Sequence, residues 1–389
     1  MNKISTDKSQ RVTRAGGYQT QLENYRAFHP APLPPDPPIV FNEELLKLLS
    51  DADRSLGRLD GVTQMLPNLD LFLMMYVRKE AVFSSQIEGT QASLDDVVAY
   101  EDEIGEAENP RDVEEVVNYI TAMKVGLRRL KALPVSLRLI REIHHELMQG
   151  VRGKHKNPGE FRTTQNWIGP PGCSLNDALF VPPPPHELTQ HMGALEKFLH
   201  SEDTIPALVK IGLAHAQFET IHPFLDGNGR LGRLLITFLL CEKEILAQPA
   251  LYISHFFRRY KSEYYQCLQG IRETGDWEEW LRFFLRGVVD VSREASATAS
   301  KIMEMREKHR ALIGGSLSSA TAGGAFKLLE VLYQRPVVTI NRASDIIERS
   351  YSNARKLVGE LEFLGILHER TGQARNRRYV YAEYLELFR

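Results

Sequence analysis

Ile221-His222-Pro223-Phe224-Leu225-Asp226-Gly227-Asn228-Gly229-Arg230-Leu231-Gly232-Arg233 decides how this chain is read. Apolar helical patterns flank it, Pro206 to Glu219 before and Leu231 to Ile245 after. Gly227 and Gly229 bracket Asn228, and all three residue types tolerate positive φ. Such a turn, set at the start of a helix, gathers backbone N–H groups into an anion nest, and the helix partial charge strengthens it. Arg230 and Arg233, one helical turn apart, add cations suited to phosphate oxygens. Asp226 is a hard oxygen ligand, as Mg2+ bridging phosphates needs. His222 is the only nearby side chain whose ordinary pKa suits a general base at neutral pH.

Other readings of the same residues fail on context. Gly227 to Gly232 matches GxGxxG, but a dinucleotide fingerprint follows a strand, and here a helical pattern ended by His-Pro precedes it. The GxxxxGK[ST] phosphate loop is absent. No HExxH or partner pair makes His222 a zinc ligand. A helix–loop–helix turn with a capping histidine explains one residue of the cluster and leaves the rest unexplained.

HPFLDGNGRLGR resembles the Fic motif HPFx(D/E)GNGRxxR at all twelve positions. The resemblance implies an all-α, Fic-fold helical bundle with a small β-hairpin flap. It also implies a protein adenylyltransferase that moves AMP from Mg-ATP to Tyr, Thr or Ser hydroxyls of target proteins and of itself. Carried over by position, His222 is the base and Asp226 the Mg2+ ligand. Gly227, Asn228 and Gly229 bind the α- and β-phosphates, Arg230 supports them, and Arg233 holds the γ-phosphate. Leu231 and Gly232 complete the nucleotide-binding turn, while Phe224 is a core anchor. Tyr260 stands where relatives touch the adenine or ribose, although many have Asn there. The resemblance extends to a homodimer. Two alternatives remain open: a transcription regulator whose domain only senses nucleotide, and a hydrolase that removes AMP, with Glu88 orienting water.

Upstream, Ser84-Ser85-Gln86-Ile87-Glu88-Gly89 ends a helical pattern that begins near Asn68. Gly89 is a natural stop, and a carboxylate in the last turn faces the negative end of the helix. A solvated glutamate accounts for this, and so does a nearby arginine that offsets the dipole. SSQIEG is similar to the inhibitory motif (S/T)xxxE(G/N) of Fic proteins, with Ser84 and Glu88 in its defining positions. That similarity implies that Glu88 pairs with Arg233 and blocks the γ-phosphate.

Farther out, residues 1–40 carry Pro30, Pro32, Pro34, Pro35, Pro37 and Pro38, which favour an irregular, extended arm. Helices are expected over about 41–54, 68–88, 111–131, 139–148, 186–200, 261–273 and 277–294. Thr164–Ile168 and Ala178–Val181 read as a hairpin flap, and Tyr264 and Tyr265 as core aromatics. Gly314 to Gly324 reads as a linker. Beyond it, helices over 325–332, 343–349 and 352–364, the last capped by Ser352, precede a hairpin of 366–369 and 378–381. This order suggests a winged helix-turn-helix unit, open to DNA or to protein contacts. The division expected is 1–110 for the arm and inhibitory helix, 111–312 for the catalytic domain and 320–389 for the winged unit.

Composition excludes several classes. The net charge of -2 gives no global pull toward nucleic acid or membrane. Three cysteines without a CxxC pair argue against a disulfide framework. The polar start and the lack of an apolar run of membrane-spanning length point to a cytoplasmic protein.

Overall fold

The structure is a computed structural model. It describes residues 12–66, 69–101, 109–150, 155–170, 172–373 and 377–388. It is mostly helical with small antiparallel sheets, as expected.

The chain opens with a hairpin of β1 (Gly16–Thr20) and β2 (Arg26–Pro30), in the register Tyr18 opposite Phe28. The irregular arm expected there is therefore corrected over these residues. The prolines do keep 31–42 free of helix and strand, but the hairpin before them buries both Ala27 and Phe28 completely. Helix α1 (Glu43–Gln64) runs ten residues past its expected end, capped at its start by Asn42, whose side chain accepts from the Leu45 N–H. Next come α2 (Leu69–Ile87), which carries Ser84, then α3 (Leu94–Glu101), which had no clear periodicity, and α4 (Pro110–Leu130). Helices α5 (Leu137–Leu147) and α6 (Leu188–His200) follow close to expectation.

Between α5 and α6 the flap is a loop with, among the described residues, a single antiparallel bridge, Ile168 to Phe180. The expected hairpin ladder does not form. Pro170 and Pro182 to Pro185 remove the N–H donors that a longer ladder needs.

At the centre lie α7 (Ala207–Ile221) and α8 (Asn228–Glu242). Every α7 residue from Leu208 to Ile221 is buried, so the helix is wrapped on all sides by others. Helix α8 starts three residues earlier than its apolar pattern suggests, so Asn228 and Gly229 belong to its first turn. Helices α9 (Ser254–Arg259) and α10 (Lys261–Thr274) lead to α11 (Trp277–Ser316), a 40-residue helix packed along α1.

The expected linker is a second correction. Gly314 and Gly315 end α11, and Gly323 and Gly324 lie inside α12 (Ser319–Gln334). Helical bonding propagates through these glycines, which cost about 1 kcal/mol each against alanine. Then come β3 (Val337–Thr339), α13 (Ile340–Ile347), α14 (Tyr351–Phe363), β4 (His368–Glu369), β5 (Arg378–Val380) and α15 (Ala382–Glu386). The strands form one antiparallel sheet in the order β3-β5-β4. The cap of α14 is Ser350 and not Ser352: the Ser350 side chain accepts from the Asn353 N–H. Phe388 packs edge-on against Tyr76 of α2 at 5.6 Å, so the C-terminal unit touches the helix that ends at Ile87, next to Glu88. Among the described residues, no helix is long and apolar enough to cross a membrane.

Candidate active site

Helix α7 ends because His222 turns left-handed, with φ 49° and ψ 59°, while its N–H still bonds to Phe218 O at 2.9 Å. A positive φ at a non-glycine residue is uncommon and has to be held by its surroundings. The loop then closes on itself through Asn228. Its Oδ1 accepts from the Phe224 N–H (2.9 Å) and its Nδ2 donates to the Phe224 carbonyl (2.8 Å). Asn228 is 2% exposed and Phe224 fully buried, so this side chain is spent on the turn.

Gly227 takes φ 76°, where a Cβ would lie 2.7 Å from Met148 Sδ. Its N–H donates to Asp226 Oδ1 at 2.6 Å. The Asp226 side chain remains half-exposed and lies 3.6 Å from Arg230. Arg230 is buried and pairs with Glu115 of α4 at 3.2 Å. Leu231 is wholly buried in the core, and its N–H bonds to Gly227 O. Gly232 leaves room for the Glu219 carboxyl, which a Cβ would strike.

Ser84 and Glu88 converge on Arg233 from the end of α2. Arg233 is 1% exposed; its Nε donates to Ser84 Oγ at 2.8 Å, and its Nη2 donates to Ser84 O at 3.0 Å and Glu88 Oε1 at 2.6 Å. A Cβ on Gly229 would collide with the same Glu88 carboxylate. A carboxylate of the chain thus sits over the first turn of α8, where the helix partial charge attracts anions. Burial would raise the Glu88 carboxyl, but the Arg233 guanidinium outweighs it and holds it below its ordinary value. Lys261 steadies the end of α2 by donating to Ile87 O at 2.6 Å.

His222 Nδ1 lies 3.4 Å from Glu219 O, which assigns the proton to Nδ1 and leaves Nε2 with its lone pair. Burial, then the Arg162 and Arg272 cations, push its pKa down to about 4, so the ring is neutral at pH 7. Burial pushes the neighbouring Glu219 carboxyl up to about 7, and its Oε1 meets no donor.

Tyr260 stands at the joint of α9 and α10, 36% exposed, its ring against Phe256 at 4.7 Å. Among the described contacts none joins it to the 222–233 loop. Tyr264 is core and its hydroxyl meets His215 at 3.0 Å, whereas Tyr265 is 43% exposed, against the core position expected for it.

Several residues at the site were given no individual role by the sequence, although Asn166 lies in the stretch read as the flap. His144 of α5 stacks on Phe224 at 3.7 Å, donates from Nε2 to Asp226 O and accepts the Gly159 N–H at Nδ1. Arg162 and Asn166 of the flap bond to carbonyls of the loop. Glu80 is fully buried and takes the Tyr119 hydroxyl and the Ser254 N–H, docking α2 on α4 and α9. His144 on the apolar face of α5 is a sequence cue to such a group, whereas Glu80, directly after Arg78 and Lys79, looks like part of an ordinary charged run.

Comparison with known proteins places these elements in context. The "Fic/DOC family N-terminal" model matches residues 46–128, and the "Fic/DOC family" model matches residues 134–240. A probable protein adenylyltransferase of Aquifex aeolicus is 31% identical over 183 residues, 46% of this chain and 52% of that protein. The protein adenylyltransferase Fic of Drosophila grimshawi is 32% identical over 175 residues, 43% of this chain and 32% of that protein. The chain thus spans about half the length, or less, of these curated relatives. The crystal structure of a Fic family protein from Desulfovibrio desulfuricans superposes with a TM-score of 0.59 at 20% identity, over 88% of this chain and 97% of that one. This last likeness concerns the fold alone.

Proposed function

The chain belongs to the Fic/DOC family, and from that premise we propose that it is a protein adenylyltransferase restrained by its own Glu88. The observation that carries the proposal is the Glu88 carboxylate over the first turn of α8, bonded to Arg233. A site that accepts an internal carboxylate there has the donors and charge for a phosphate.

The chemistry follows from the side chains. Neutral His222 takes the proton of a target hydroxyl at Nε2 while that oxygen attacks the α-phosphorus of ATP; the bond to the bridging oxygen breaks and pyrophosphate leaves. Arg233 is the cation for the γ-phosphate, and Arg230 steadies the phosphate chain. The half-exposed Asp226 carboxylate beside the Gly227 turn fits a single protein ligand for Mg2+, which neutralises phosphate charge when bound. With Glu88 on Arg233, the γ-phosphate loses its cation and ATP its productive pose.

Labelling with ATP carrying a radioactive α-phosphate tests this. Glu88→Gly is expected to raise labelling of the chain or of added protein by tenfold or more, on the order of the 1.4 kcal/mol that one charge-assisted hydrogen bond is worth. His222→Ala in that background should abolish labelling while Mg-ATP binding persists. Unchanged labelling in Glu88→Gly removes the inhibitory role, and labelling that survives His222→Ala removes the base.

A further inference from the structure

The carbonyls of His222, Pro223, Phe224 and Asp226 are bound by groups from outside the 222–226 stretch. His222 O accepts from Arg162 Nε at 3.0 Å and from Asn166 Nδ2 at 3.4 Å. Pro223 O accepts the Arg162 backbone N–H at 2.9 Å. Phe224 O takes Asn166 Nδ2 at 2.9 Å, and Asp226 O takes His144 Nε2 at 3.0 Å. Arg162 is the centre of this set. It is 2% exposed, and its other donors go to Pro183 O (2.6 Å) and Thr164 O (3.4 Å).

All of these acceptors are carbonyls. No carboxylate pairs with Arg162 among the described residues, and burial lowers its pKa to about 10. A buried guanidinium without a counter-charge is costly, and a neutral donor could bridge flap and loop with less penalty. What a neutral donor lacks is charge. The charged groups facing His222 are Arg162 from the flap, Arg272 from α10 and Glu88 beyond α2, with the Glu219 carbonyl of α7 at Nδ1. The two arginines oppose protonation of the ring, and Glu88 favours it.

We propose that Arg162, outside the loop motif, is a positioning residue for His222: its fork locks the left-handed peptide that carries the imidazole, and it sets a fixed positive charge near the ring. This rests on the reading of His222 as the base. The lock matters because the His222 carbonyl, turned away from α7 by the positive φ, has no helical partner. Free to rotate, the peptide would swing the ring out of line with an attacking hydroxyl, and small misplacements of a base cost rate more than affinity.

The test uses the full chain and two substitutions. Arg162→Lys keeps the charge and loses the fork; Arg162→Gln keeps a donor and loses the charge. The His222 titration is followed by NMR on histidine-labelled protein, with His222→Ala identifying the resonance. Transfer is measured in the Glu88→Gly background. Arg162→Gln is expected to move the His222 titration upward by roughly one pH unit, and the acid limb of the transfer profile with it. Arg162→Lys is expected to leave the titration in place. It should lower kcat on the order of ten- to hundredfold while KM for ATP stays within about twofold of the parent. A titration that does not move in Arg162→Gln, or parental kcat in Arg162→Lys, overturns the proposal. If Glu88→Gly shows no transfer that depends on His222, the enzymatic reading fails alone, and the titration still decides for or against Arg162. Should Arg162→Gln not fold, Arg162→Lys decides by its kcat.

Discussion

His222 shows how a single residue can be legible in type and opaque in state. Its identity is plain in the loop, but its lowered pKa depends first on burial and then on Arg162 and Arg272, 60 residues before it and 50 after. His144 and His215 are likewise pushed down by burial, to about 4 and about 3. In the unfolded chain each protonates near pH 6.5. Between that value and about pH 4 the unfolded state therefore binds more protons than the folded one, so stability rises with pH across this window and is lost as pH falls. Urea midpoints measured from pH 7 to pH 4 should decline, and the triple replacement His144→Gln, His215→Gln, His222→Gln should flatten the decline. Asn228 offers a second residue-scale outcome. Asn228→Ala leaves the buried Phe224 N–H without its acceptor, and should cost about 1–3 kcal/mol in chemical denaturation. It should also weaken Mg-ATP binding, since the turn that presents the N–H groups is no longer closed.

Among the elements, α2 is the one whose placement matters most. Its sequence announces a helix and its stop at Gly89, but not what it packs against. Glu80 fixes that, bonded to Tyr119 of α4 and Ser254 at the start of α9. Glu80→Ala would leave three buried donors without an acceptor and should cost roughly 3 kcal/mol, read by urea denaturation. Faster amide exchange confined first to α2 would show that the loss is local. The flap and the Gly314–Gly324 segment illustrate the opposite error. At Gly314–Gly324 helix propagation overrode the glycines' local preference, whereas in the flap the prolines prevailed over the expected strand pairing.

For the whole molecule, the C-terminal unit presents Asn353, Arg355 and Lys356 on the exposed side of α14, while Arg370 lies 3.9 Å from Asp95 of α3. The winged helix expected from the sequence is open to DNA or to protein contacts, and a DNA role predicts that this unit retards duplex DNA at low salt. Affinity should fall steeply as salt rises, and Arg355→Ala and Lys356→Ala should each reduce the salt slope by about one. No retardation at low salt would leave the surface to protein contacts. The sequence by itself determined the helical class and carried the motif from which the proposed chemistry of the 222–233 loop is read. Both live in contiguous residues, where helical periodicity, positive-φ residue types and one-turn spacing are local properties of the backbone. Tertiary structure put the Glu88 carboxylate that the motif assigns to Arg233 within bonding distance of it, and it alone decided that burial holds the His222 pKa down and that flap side chains bind the carbonyls of the turn. Each depends on burial and on groups far apart in the chain, and neither spacing nor composition encodes which distant residues will share a dry, low-dielectric space.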